Sequence, residues 1–180
     1  TNELNIEYDD KKGSSSNFIE SIDLHINDVL NIKFLDIEKI KQKRFKIVLD
    51  TINGASCVGF KKLLEELNCE IIHINNTPNG IFPRNPEPKT SNIKEISKLV
   101  LENSVDLALI TDPDGDRLAI IDNKGEIIIE ENTLVLWVDE FLNKTKIQQP
   151  VVTNLSTTSA LEDITKKYGV NVIRTSVGEI

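Results

Sequence analysis

The chain contains no methionine, and only one tryptophan, two tyrosines and two cysteines among its 180 residues. Cys57 and Cys69 have no third cysteine and no histidine at ligand spacing, which excludes a disulfide framework and a thiolate zinc site. Both are expected to be reduced core residues. Long apolar runs are also missing: nothing approaches the roughly 18 residues that cross a bilayer. The N-terminal stretch is polar rather than signal-like, so no membrane partner is expected and the cytoplasm is the expected compartment. Runs of Lys or Arg are absent, and 29 acidic against 21 basic residues give a net charge of -8, which excludes nucleic acid as a partner. With no Met and a first residue Thr1, the translated product is expected to be longer than this chain. What remains is ordinary globular composition, 39% apolar and 28% charged, enough for one domain and part of another.

Residues 1–16 include Asp9 to Gly13 and Ser14 to Ser16, a polar stretch that reads as a linker. From Asn17 onward, Phe18, Ile19, Ile22, Leu24, Ile26, Val29 and Leu30 approximate a helical period, and Asp36 to Lys43 is a second helical segment. Phe45 to Leu49 is a short apolar run that enters Asp50-Thr51-Ile52-Asn53-Gly54. Cys57, Phe60, Leu63, Leu64 and Leu67 then recur at helical spacing. A strand at Glu70 to Ile74, a Pro-rich loop from Thr77 to Thr90, a helix burying Ile93, Ile96, Leu99 and Val100, and a strand at Leu107 to Ile110 continue the alternation. Leu118 to Asp122 and Glu126 to Ile129, joined through Asn123-Lys124-Gly125, form a hairpin. The pattern predicts a three-layer α/β/α domain over 17–129 whose sheet is mixed and mainly parallel. Residues 130–180 begin a second, similar domain with a helix through Leu142 and a βαβ unit over Val151 to Asn154, Ser159 to Tyr168 and Asn171 to Arg174. Asn68 before the second strand of the first unit and Gly169 in the matching place suggest two copies of one plan.

The segment with chemical character is Thr111-Asp112-Pro113-Asp114-Gly115-Asp116-Arg117, between two apolar strands. Ligand sites of open α/β sheets lie beyond the carboxyl ends of the strands, where this loop emerges. Pro113 and Gly115 bar regular structure and allow a turn that aims three carboxylates at one point, and a bound cation relieves their repulsion. Hard oxygen ligands suit Mg²⁺ with positions left for water and phosphate. The plain alternative is a turn between strands with no ligand. An EF-hand would want Gly in place of Arg117 and Glu in place of Asn123.

This heptapeptide resembles the metal loop of the phosphoglucomutase and phosphomannomutase superfamily, in its second domain. Phe82-Pro83-Arg84-Asn85-Pro86-Glu87-Pro88 resembles the Asn-Pro-Glu-Pro loop of that domain, and Asp50 to Gly54 its first strand-loop. The resemblance runs from about Ile19 to the end of the chain. It implies that Asp112, Asp114 and Asp116 ligate Mg²⁺ and that the catalytic Arg117 lies against a phosphoserine or the substrate phosphate. The fourth ligand in the family is that phosphoserine, in a Ser-His-Asn-Pro context that Ser14 to Ser16 lack. Domains 1 and 4 of the same polypeptide are therefore implied partners, and this chain alone is expected to be inactive.

Val151 to Thr158 resembles the Ser-Asn-Leu segment of phosphoglucosamine mutases, with Ser156 where the dual glucose and mannose enzymes carry a lysine. Arg174 to Glu179 resembles the family's sugar-recognition loop, which marks Gly178 and Glu179 as substrate-binding. An acidic Glu179 suits an amino sugar, and it can equally accept a sugar hydroxyl. The resemblance implies interconversion of a hexose 6-phosphate and 1-phosphate, of glucosamine first and of mannose or glucose next. Two rivals remain: a haloacid-dehalogenase-type phosphatase, whose first motif also follows an apolar strand, and a non-catalytic metal-binding α/β domain. His25 and His73 receive no role.

Overall fold

Lys46–Asp50 and Leu107–Thr111 contain the apolar runs Ile47 to Leu49 and Leu107 to Ile110 without alternation, the pattern of strands covered on both faces. In a computed structural model that describes residues 13–178, they are β1 and β3, each buried from its second residue onward. Two helices precede them, α1 (Ser21–Leu30) and α2 (Ile37–Lys43), the latter capped by the Asp36 carboxylate on the Lys39 N–H. Then α3 (Ser56–Glu66), β2 (Glu70–Ile74) and α4 (Thr90–Asn103) lead to β3, β4 (Leu118–Asp122) and β5 (Ile127–Ile128). The sheet runs β2-β1-β3-β4-β5; β1 is parallel to β2 and β3, and the β3-β4-β5 edge is antiparallel.

Strand periodicity sends alternate residues to opposite layers. Val48, Ala108, Ile110, Ala119 and Ile121 pack with Ile93, Ile96 and Val100 of α4. Ile47, Leu49 and Leu109 face Leu64 and Phe60 of α3. The mixed, three-layer α/β architecture expected of the first unit is thus present, with β1 and β3 at its centre and their carboxyl ends side by side.

The second unit holds α5 (Glu130–Thr145), β6 (Val151–Asn154), α6 (Ala160–Lys166) and β7 (Val172–Thr175), with β6 and β7 parallel. Val138, Leu142, Leu161 and Val170 form its core. The helices of the two βαβ units end alike. Asn68 and Gly169 both have positive φ, 58° and 69°. The next N–H reaches back five residues in each, Cys69 to the Leu64 carbonyl (3.0 Å) and Val170 to that of Thr165 (3.1 Å). Both are left-handed helix stops of the Schellman type. Both first strands also end in a side chain that accepts the N–H two residues on, Asp50 from Ile52 and Asn154 from Ser156.

One expectation requires correction. The helix begins at Ser21 rather than Asn17, and Phe18, Ile19 and Leu24 are exposed; only Ile26 of α1 is buried. Among the described residues α1 packs mainly against α3, so Ile22 and Leu24 are exposed while Val29 and Leu30 are half-buried. In the second unit, Val152 and its register partner Ile173 are exposed, because α5 and α6 cover only one face of the two-stranded sheet. Cys57 is buried and Cys69 half-buried, both as free thiols. Of the linker expected over 1–16, residues 1–12 lie outside the described residues. No helix among the described residues is long and apolar enough to cross a membrane.

Candidate metal centre

The loop between β3 and β4 turns on Asp112. Its side chain is 10% exposed, and Oδ1 accepts the N–H of Gly115 (3.1 Å) and of Arg117 (3.1 Å). Gly115 takes φ +82°, a conformation that other residues adopt at a cost. Asp112, Asp114 and Asp116 each present a carboxylate oxygen, and these lie within 4.8 Å of one another. Asp112 is the buried member and the other two are exposed. Three all-oxygen, anionic donors on one compact turn, two of them open to solvent, fit a hard cation such as Mg²⁺ that keeps room for water and phosphate. Arg117 stands over this group: its Nε lies 3.8 Å from Asp112 Oδ2 and 4.0 Å from Asp116 Oδ1.

Residues from two other loops hold the turn in place. The Ala55 N–H donates to the Pro113 carbonyl (2.8 Å), and the Ser56 hydroxyl meets that of Thr111 (2.8 Å). Gly54 is buried beneath this contact, where any Cβ would stand 2.4 Å from the Pro113 oxygen. Asp50, at the end of β1, is wholly buried and paired with Arg84 (2.8 Å). On the Asn85-Pro86-Glu87-Pro88 loop, Glu87 Oε1 lies 3.4 Å from Arg117 Nη1. Lys89 first, and Arg117 after it, hold the Glu87 carboxyl below its ordinary pKa.

The sequence brought Asp112, Asp114, Asp116 and Arg117 together as one motif. It did not show Gly54, Arg84 or Glu87 meeting that motif. The available signal was the position of Asp50–Gly54 at the end of a buried strand, since β1 and β3 are neighbours and their following loops must touch. His73 points its Nε2 at the Thr51 hydroxyl (2.9 Å), and burial followed by the Lys61 charge lowers its pKa.

The sugar-recognition candidates lie on the second unit. Ser156 is on the loop after β6 and, with Glu130, Glu131 and Asn154, lines a cavity of about 250 Å³ separate from the acidic turn. Gly178 is exposed with φ +140°, and Glu179 lies outside the described residues. Arg174 braces the Ser156 loop. It donates to Glu162 (2.7 and 2.9 Å) and to the carbonyls of Asn154, Thr157 and Thr158. The Arg174 hydrogen bond lowers the Glu162 carboxyl pKa. A depressed carboxyl stabilises the fold above its ordinary pKa, and that contribution is lost as pH falls through the lowered value. Glu162→Gln should therefore unfold at lower temperature than the parent at neutral pH, with the gap closing in acid, as read by thermal melts across pH. A constant gap at all pH values would rule out this ion pair as the cause.

The sheet, its two helical layers and the loop beyond β3 place the chain among three-layer α/β domains with a carboxylate-rich turn at the carboxyl end of the sheet. Residues 23–125 match the family model described as phosphoglucomutase/phosphomannomutase, alpha/beta/alpha domain II, and residues 130–180 match that of alpha/beta/alpha domain III. The chain belongs to the phosphoglucomutase/phosphomannomutase family. It is 37% identical over 147 residues to a phosphoglucomutase/phosphomannomutase of Thermococcus kodakarensis, covering 81% of this chain and 32% of the relative. A probable phosphoglucosamine mutase of Methanopyrus kandleri is 30% identical over 149 residues, covering 82% and 33%. The crystal structure of a putative phosphomannomutase from Thermus thermophilus superposes with a TM-score of 0.74 at 21% identity, over 88% of this chain and 36% of that one, a likeness of fold. The chain thus spans about a third of the length of the curated relatives it matches.

Proposed function

We propose that this chain is the metal-binding portion of a cytoplasmic phosphohexomutase that interconverts a hexose 6-phosphate and a hexose 1-phosphate through an enzyme phosphoserine and a bisphosphate intermediate. The observation that carries the proposal is the turn Asp112–Arg117, where three carboxylates converge and a guanidinium stands beside them, in a chain of this family. Asp112, Asp114 and Asp116 would hold Mg²⁺, which when bound offsets negative charge on a phosphoryl group in transfer. Arg117, 44% exposed and, among the described residues, paired only with Glu87 at 3.4 Å and the turn carboxylates at 3.8 and 4.0 Å, keeps its fork available to a phosphate, bidentately. Asp112 keeps the turn closed through its two backbone bonds while the exposed Asp114 and Asp116 face the ligand. The serine comes from outside these 180 residues, so the chain alone is inactive.

Residues 17–129 and 130–180 would form the metal domain and the start of the sugar-recognition domain. Ser156, Gly178 and Glu179 would select the sugar, and the carboxylate of Glu179 favours the ammonium of glucosamine. Relatives named as phosphoglucosamine mutases support this choice. The 37% identical relative, named for glucose and mannose, supports the alternative. The test is ³¹P NMR on the full-length protein with Mg²⁺, a trace of hexose bisphosphate, and the 6-phosphates of glucosamine, mannose and glucose in turn. A 1-phosphate forming fastest from glucosamine 6-phosphate is expected. Faster turnover of mannose or glucose would reverse the sugar assignment, and inorganic phosphate with no 1-phosphate from any of them would overturn the mutase proposal.

A further inference from the structure

Arg84 is three residues from Glu87 and far in sequence from the acidic turn, yet it joins everything that frames that turn. Its side chain is 11% exposed and that of its partner Asp50 is fully buried. Nε donates to Asp50 Oδ2 (2.8 Å). Nη2 donates to the carbonyl of Thr111 (2.7 Å), the residue directly before Asp112. Nη1 donates to the carbonyls of Asn85 (3.1 Å) and Pro86 (3.2 Å). Asp50 is equally committed, since its Oδ1 accepts the Ile52 N–H (2.9 Å) and the Asn75 side-chain amide (3.0 Å).

These bonds decide what the pair can do. Both Asp50 oxygens already accept protein donors, and Arg84 gives four of its five N–H groups to protein acceptors from a side chain only 11% exposed, so the pair is committed to the fold rather than presented to a phosphate. We propose that Asp50 and Arg84 are positioning residues: through one guanidinium they fix the end of β1, the end of β3 and the Asn85–Pro88 loop in a single arrangement. That arrangement puts the Glu87 carboxylate against Arg117 and so sets the direction of the Arg117 fork before substrate arrives. Arg117 lacks any comparable anchor, because its other partners, Asp112 and Asp116, stand 3.8 and 4.0 Å from Nε. The inference rests on the proposal that Arg117 receives the phosphate beside the metal carboxylates.

A fork is required, and a point charge will not substitute. Arg84→Lys retains a cation for the buried Asp50 but cannot reach Asp50, Thr111 and the Asn85–Pro86 carbonyls together. Glu87→Gln keeps the loop and removes the charge that attracts Arg117. In the full-length protein we expect Arg84→Lys to raise KM for the hexose phosphate about tenfold, to lower kcat less, and to lower the melting temperature only modestly, because the buried Asp50 keeps a cationic partner while other acceptors lose their donor. Glu87→Gln should give part of the same KM rise. The double variant should be no worse than Arg84→Lys alone, because residues acting through one contact are not additive. Hydrogen exchange of the 108–118 segment in metal-free protein should be faster in Arg84→Lys. Multiplying KM effects, or unchanged exchange and an unchanged KM, would overturn the positioning role. If the parent itself needs no divalent cation for turnover, the metal-site proposal fails instead.

Discussion

Gly54→Ala should displace the acidic turn and cost the full-length protein about 100-fold in turnover, the scale of loss that a misplacement near 1 Å produces. The cause is contact rather than dihedral strain. A Cβ at residue 54 would stand 2.4 Å from the Pro113 oxygen, 2.8 Å from its Cα and 2.9 Å from its carbonyl carbon. All three are backbone atoms of the turn, so no side chain can rotate aside. Overpacking of this kind costs about 1–3 kcal/mol. Backing away breaks the Ala55 to Pro113 hydrogen bond, worth a further ~1 kcal/mol. Gly59→Ala, on the same helix-loop segment, meets only the Ile22 Cγ2 at 3.8 Å and is the matched control. Turnover and urea unfolding of both variants check the prediction. Equal behaviour would show that the turn does not depend on its seat against Gly54.

The second large effect separates the three carboxylates. Asp112→Ala removes the nearly buried carboxylate that accepts the N–H groups of Gly115 and Arg117, two half-buried bonds that close the turn. A loss of about 1–3 kcal/mol of stability follows even with chelator present. Asp114→Asn removes one of three mutually repelling charges from an exposed position, and repulsion at such distances is worth about 1 kcal/mol or less in water. The metal-free Asp114→Asn protein should therefore be as stable as the parent or slightly more so, while its turnover is lost. Urea melts in EDTA distinguish the two. Equal destabilisation by both substitutions would contradict the division of labour between a loop-closing Asp112 and an open Asp114.

These two cases also show what sequence could and could not reveal. Periodicity and punctuation were sufficient for the strands, because Lys46–Asp50 and Leu107–Thr111 contain apolar runs that end in turn residues. The acidic turn was legible because all its members lie within seven residues, as was the likeness of the two βαβ units, because Asn68 and Gly169 mark their helix ends. Long-range pairings were not legible. Gly54 meets Pro113, Asp50 meets Arg84, and Glu87 meets Arg117 only because β1 and β3 lie adjacent in register, Asp50 opposite Ile110. Local pattern carries no information on that register until the sheet order is known. The exposed faces of α1 and β6 are the converse case, since periodicity marks an apolar face without saying whether anything covers it.

The most direct test is a Mn²⁺ titration of the full-length, serine-phosphorylated protein followed by electron paramagnetic resonance, with Mg²⁺ as competitor, in the parent and in Asp114→Asn. One Mn²⁺ bound per chain in the parent, displaced by Mg²⁺ and lost in Asp114→Asn, is the predicted result. Equal Mn²⁺ binding by both proteins would place the cation elsewhere and leave Asp112–Asp116 as a turn between strands.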